Sequence, residues 1–117
     1  MTQIKHNEMV TALVKSGDAI ISSLTPEKAH VLHMAVGISG ESGELLDAVK
    51  KHVIYNKPID RENVIEELGD LEFYMEGLRQ GFDISREETI TANIEKLGVR
   101  YKDGYSDKAA QARADKN

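Results

Sequence analysis

Four acidic residues fall into two pairs of equal spacing, Glu41 with Glu44 and Glu67 with Asp70. A separation of three places both members of a pair on one side of a helix. Two such pairs brought together would crowd four carboxylates into one small volume, where they repel one another unless a cation neutralises them. Hard oxygen ligands of this kind favour Mg²⁺, Mn²⁺ or Ca²⁺ over softer metals. The cation, rather than the carboxylates, is then what the site presents to a ligand, so an acidic site of this type accepts phosphates. A solvated face is the plainer reading of acidic residues on a helix, and it is kept for Glu66, Glu72 and Glu76, which lie off the shared side.

The pairs meet only if their helices do. Thr25-Pro26 is a strong helix start, with Thr25 as N-cap and Pro26 at the first helical position. That helix is expected to run to about Ile54, where Asn56-Lys57-Pro58 interrupts it. Asp60 caps the next helix, which reaches roughly Phe82, and Ser85-Arg-Glu-Glu88 is a capping box opening another that ends near Tyr101. Before these, Val10, Leu13, Val14, Ile20, Ile21 and Leu24 recur at helical spacing, so a first helix is expected from about residue 5 to Leu24. Asp103-Gly104 marks a turn, and the polar tail 106–117 is either a short docked helix or frayed. Four helices joined by short loops imply an all-α protein, an antiparallel four-helix bundle forming one domain over 1–117 with its core at about 26–105.

Periodicity assigns a seam to each helix. The second has Val31, Ala35, Ile38, Ser42, Leu45 and Val49, and the third has Val64, Leu68, Leu71, Met75, Leu78 and Phe82. At ~100° per residue, Glu41 and Glu44 lie on one flank of the first seam, with His30, His33, Gly37, Ala48 and Lys51 on the same strip. Glu67 and Asp70 occupy the corresponding flank of the other, with Asn63, Tyr74 and Gly81. Equivalent flanks of an antiparallel pair face the same side, so the four carboxylates are expected to converge there. The fourth helix has its seam at Ile90, Ile94, Leu97 and Tyr101, with Asn93, Lys96 and Arg100 on the equivalent flank. Cationic side chains beside a carboxylate–metal cluster are what binding a triphosphate requires.

Gly37, Gly40 and Gly43 fall where the first acidic pair begins, although Gly costs roughly 1 kcal/mol relative to Ala inside a helix. Close helix approach, room for a ligand, or a kink would each account for them. Their spacing is no phosphate-loop or dinucleotide fingerprint, since no strand precedes it and no Gly-Lys-Ser/Thr follows.

The bulk numbers agree. The chain has 117 residues, no Cys and no Trp, and only two Phe and four Tyr. Disulfides, thiolate metal sites and cysteine nucleophiles are thereby excluded. So little aromatic bulk suggests that the apolar surface is finished against a second copy. A net charge of −5 argues against nucleic-acid binding. No apolar run approaches the ~20 residues of a membrane span, and the first residues lack a signal-peptide core, so a cytoplasmic protein is expected.

The ordered set Glu41-x-x-Glu44 then Glu67-x-x-Asp70 resembles the signature of the MazG-like all-alpha nucleotide pyrophosphohydrolases. The resemblance covers roughly residues 30 to 106. It takes in His33-Met-Ala-Val-Gly-Ile-Ser-Gly-Glu41, Glu66-Glu-Leu-Gly-Asp70-Leu, Asn93-Ile-Glu-Lys96-Leu and Arg100-Tyr-Lys-Asp-Gly-Tyr105. Departures are Lys102 where many relatives have Pro and Tyr105 where Phe is common, both beyond the last seam.

The resemblance implies hydrolysis of a nucleoside triphosphate to the monophosphate and pyrophosphate. Glu41, Glu44, Glu67 and Asp70 would hold Mg²⁺, with Mn²⁺ a substitute, and Glu41 or Glu44 would double as general base. His33, Lys51, Asn93, Lys96, Arg100 and Tyr101 would contact substrate, in a homodimer or homotetramer whose pocket a neighbouring chain can complete. A non-catalytic helical module that binds a nucleotide or a metal shares the same seams and flanks and is the alternative.

Overall fold

The computed structural model describes residues 3–113, and its regular elements are all helices: α1 His6–Leu13, α2 Gly17–Ser23, α3 Pro26–Val53, α4 Arg61–Gly81, α5 Arg86–Arg100 and α6 Asp107–Ala112. The caps read from the sequence set the main boundaries. Thr25 accepts the Lys28 amide at 3.1 Å with Pro26 opening α3, and Asp60 accepts the Asn63 amide at 3.1 Å to start α4. Ser85 and Glu88 close a reciprocal capping box, at 3.0 and 2.9 Å, at the head of α5. α3 runs unbroken through Gly37, Gly40 and Gly43, so these glycines do not kink it.

The expected first helix is instead two. Val14 turns extended and Ser16 caps a new helix by accepting the Ala19 amide at 3.1 Å. Ser-Gly-Asp at positions 16–18 is a start signal strong enough to override the apolar spacing that bridges it. In the tail, residues 107–112 form α6, which packs on α5, and positions 114–117 of the expected polar tail lie outside the described residues.

Packing within the chain is concentrated in one antiparallel hairpin, α3 against α4, and the only other substantial contact between described elements is α5 with α6. The four-helix bundle is therefore not closed within one chain. A radius of gyration of 20.3 Å compares with about 13 Å for a compact chain of this length.

The hairpin's contact face is rotated from the expected seam toward the acidic flank. Met34, Ala48 and Arg79 are buried, and Val31, Gly37, Ile38, Glu41, Leu45, Val64, Glu67, Leu71, Tyr74, Met75, Gly77 and Leu78 are half-buried. Ala35, Ser42, Val49, Leu68 and Phe82, all expected in the seam, face solvent, with Phe82 57 % exposed. Glycine is the physical reason. The Tyr74 ring occupies the space a side chain at Gly37 would need, and Met34 does the same at Gly77. At Gly81 an added Cβ would stand 2.7 Å from Val31 Cγ1 and 2.9 Å from the His30 ring. Large side chains on one helix thus seat on bare backbone of the other, and the helices close on the glycine side. His30 Nε2 bonds the Gly77 carbonyl at 2.9 Å across this contact, fixing its register.

Candidate metal centre

The rotation brings one member of each acidic pair, Glu41 and Glu67, from beside the interface to its edge. Glu41, from the middle of α3, and Glu67 and Asp70, from the second and third turns of α4, each offer an oxygen within 4.8 Å of the other two. Glu41 and Glu67 are half-buried and Asp70 is exposed, so the cluster opens on one side of the hairpin. Glu44, one turn along α3, is exposed and stands outside this trio. Its charge still reaches Glu67.

Glu67 bears the strain of the arrangement. Its carboxyl is pushed up to about 7, first by sharing a hydrogen bond with the Glu41 carboxyl, then by lost hydration, then by the charges of Glu41, Asp70 and Glu44. Its Oε2 is sealed from solvent with no hydrogen-bond partner. A buried oxygen without a donor is costly. The Glu67 carboxyl stands with two further carboxylates, which can supply no proton once ionised, and a cation would satisfy all three. Ligands opposite one another around Mg²⁺ stand about 4 Å apart, close to the spread of the trio. The residues fit a hard divalent ion.

The strip on either side of the trio carries different chemistry. Toward the open end of the hairpin, Tyr74 lies one turn past Asp70, its ring edge-on to His33 at 6.1 Å and to Phe73 at 5.2 Å. Toward the α3–α4 turn, Asn63 lies one turn before Glu67 and helps line a cavity of about 310 Å³ with Ala48, Lys51, Lys57, Pro58 and Asp60. His33 and Lys51 therefore take their expected places on the strip. Tyr74, Asn63 and Lys57 were not among the expected contacts. For Tyr74 and Asn63 the signal was available, since each is four residues from a carboxylate of the pair on the same strip.

Asn93, Lys96, Arg100 and Tyr101 are elsewhere. They belong to α5 and its C-cap, and α5 does not pack along either helix of the hairpin. Arg100 lies 5.9 Å over the Tyr101 ring, which stacks on Tyr105 at 5.4 Å. The Tyr105 hydroxyl donates to Asp107 at 2.7 Å, tying the start of α6 to the end of α5 and giving this hydroxyl work that Phe could not do. Of the acidic residues read as solvated, Glu76 has a further use. It accepts from Arg79 Nε at 3.0 Å and from Gln80 at 3.1 Å, which holds its carboxyl below the usual range and Arg79 in its buried position.

Comparison with protein families finds a match to the MazG nucleotide pyrophosphohydrolase domain over residues 30–105. The matched segment holds α3 from His30 onward and all of α4 and α5. No curated protein and no solved structure matches the chain. No helix among the described residues is long and apolar enough to cross a membrane.

Proposed function

The chain belongs to the MazG nucleotide pyrophosphohydrolase domain family, and on that premise we propose that it is a Mg²⁺-dependent enzyme cleaving an NTP or dNTP to the monophosphate and pyrophosphate. The observation that carries this reading is the convergence of Glu41, Glu67 and Asp70, with one oxygen of Glu67 buried and without a hydrogen-bond partner. Bound there, Mg²⁺, or Mn²⁺ in its place, would neutralise phosphate charge and lower the pKa of a water. Glu41, Glu67 and Asp70 would hold the ion. Glu44, adjacent but outside the trio, is placed to take the proton of the attacking water. The water oxygen bonds to the α-phosphorus, the bond from that phosphorus to the bridging oxygen breaks, and pyrophosphate leaves with the electron pair.

The remaining expected contacts are supplied by assembly. α5 presents Ile94 at 66 % exposure with Ile90 and Leu97 beside it, and the hairpin presents Val49, Leu68 and Phe82. Burying each large aliphatic side chain is worth roughly 1.5–3 kcal/mol, so a second copy covering both faces completes the four-helix bundle. The α5 of a neighbouring copy then brings Asn93, Lys96, Arg100 and Tyr101 to the groove, in a cytoplasmic homodimer or homotetramer with no nucleic-acid or membrane partner.

A panel of NTPs and dNTPs with Mg²⁺, assayed for pyrophosphate, tests the proposal. Release from at least one nucleotide is expected, with Asp70→Ala and Glu44→Ala each losing at least about a thousandfold, a loss of several kcal/mol of transition-state stabilisation. Orthophosphate as the product, or nucleotide binding with no turnover, would overturn it.

A further inference from the structure

We propose that the recess at the turn end of the groove seats the substrate's two terminal phosphates, so that the nucleotide lies along the hairpin in one direction only. The nucleoside points toward Tyr74 and His33, and the departing pyrophosphate toward Lys51 and Lys57. This rests on the pyrophosphohydrolase reading and assigns the site a polarity.

The two ends of the groove differ in charge. Toward the turn, the recess of about 310 Å³ is lined by two cationic residues, Lys51 and Lys57, and by Asn63, one turn before Glu67 on α4. One turn beyond Asp70, the opposite end offers two rings, Tyr74 and His33, at 6.1 Å. Arg79, five residues past Tyr74 on α4, is buried and held by Glu76. As the α–β bond breaks, negative charge moves onto the leaving pyrophosphate, and cations at that end are stabilising in the transition state more than in the ground state. A flat uncharged base finds the better surface at the rings.

The recess is also built rather than incidental. The Lys57 amide donates to the Lys51 carbonyl at 3.2 Å, and His52 Nδ1 donates to the Lys57 carbonyl at 2.8 Å. Asn56, in the left-handed region at φ 56°, makes the reversal that brings the two lysines together. The one carboxylate in the lining, Asp60, accepts the Asn63 amide at 3.1 Å. Lys51 is paired with Asp47 at 3.1 Å, but both side chains are about half exposed, and such a pair is worth little. When Lys51 turns to a phosphate, Asp47 keeps Lys50 at 3.8 Å.

Calorimetric titration of the full-length chain in Mg²⁺, with inorganic pyrophosphate and separately with a nucleoside monophosphate, decides the direction. Lys51→Ala combined with Lys57→Ala is expected to weaken pyrophosphate on the order of tenfold per lost charged contact, and to leave the monophosphate within twofold. Lys51→Arg, which keeps the charge, is expected to stay near the parent value. Thermal melting checks that the double variant folds, and Lys57→Gln on the exposed turn gives the same reading should it not. Unchanged pyrophosphate affinity, no pyrophosphate binding by the parent chain, or loss of monophosphate affinity instead would each overturn the proposal. Lysine-dependent pyrophosphate binding in a chain that cleaves no nucleotide would support the recess while refuting the enzymatic reading.

Discussion

The α3–α4 hairpin and the α5 arm are equally regular helices with equally good caps, yet the chain treats them in opposite ways. The hairpin is packed by its own residues, through bare backbone at Gly37, Gly77 and Gly81, and Glu41 and Glu67 are half-buried at that contact. α5 has its capping box and an apolar stripe, yet among the described residues makes no substantial contact with the hairpin, and Ile94 remains two-thirds exposed. On the proposed function, the difference follows from what each would have to do. Metal ligands have to be held to within fractions of an ångström, which a contact inside one chain provides without dependence on concentration. Cationic contacts to phosphate tolerate a looser arrangement and can be delivered by assembly.

The sharpest way to break this comparison is to spoil the arm alone. Ile94→Asp places a charge in the bare stripe of α5 without touching the hairpin. It is expected to weaken self-association by about a hundredfold or more and to take turnover with it, while Mg²⁺ binding by the hairpin persists. Sedimentation and calorimetry on the same sample check both halves. An Ile94→Asp chain that stays assembled and active would show that α5 serves no such purpose.

Spoiling the hairpin should have the complementary effect. Gly37→Ala drives a methyl into the Tyr74 ring, with an expected loss of about 1–3 kcal/mol in chemical denaturation. Among the described residues, nothing beyond its own neighbours and the local helix backbone lies within 4 Å of a methyl at Gly40. Gly40→Ala is therefore expected to gain up to about 1 kcal/mol from helix propensity. A loss at Gly40 instead would place a second copy or the substrate against that bare backbone.

The smallest effect is a slope with pH. In the metal-free chain Glu67 keeps its proton to about pH 7, whereas in the unfolded chain it releases it near the ordinary value of 4.5. The folded state thus binds more protons in that interval, and stability is expected to fall as pH rises from 4.5 to 7 and then level off. Melting curves without metal check this, and in Glu67→Gln the slope should flatten. Added Mg²⁺ should oppose the trend, since a cation displaces the proton and binds more tightly as pH rises through the same window.

Much of the site was legible because it depends on local chemistry. Thr25, Asp60 and Ser85 announce their helices, and three-residue spacing with a short turn is enough to bring two acidic pairs to one side. The contact face was not legible from apolar spacing, because it was decided by the absence of side chains. Gly77 and Gly81 on α4 let Met34 and Val31 seat against backbone and turn the interface toward the acidic strip. Ser16 was masked by the apolar residues around it. The place of Asn93 and Lys96 lay beyond reach for a different reason, since their partner is expected on another copy and no periodicity within one chain encodes it.

The central claim is that Glu41, Glu67 and Asp70 form a cation site and not a stretch of acidic surface. Titration of Mg²⁺ into the nucleotide-free chain, read by heat and by melting temperature, tests it most directly. The expected result is saturable binding with a rise in melting temperature, lost in Glu67→Gln and Asp70→Asn. A chain indifferent to Mg²⁺, made more stable by those same substitutions, would contradict it.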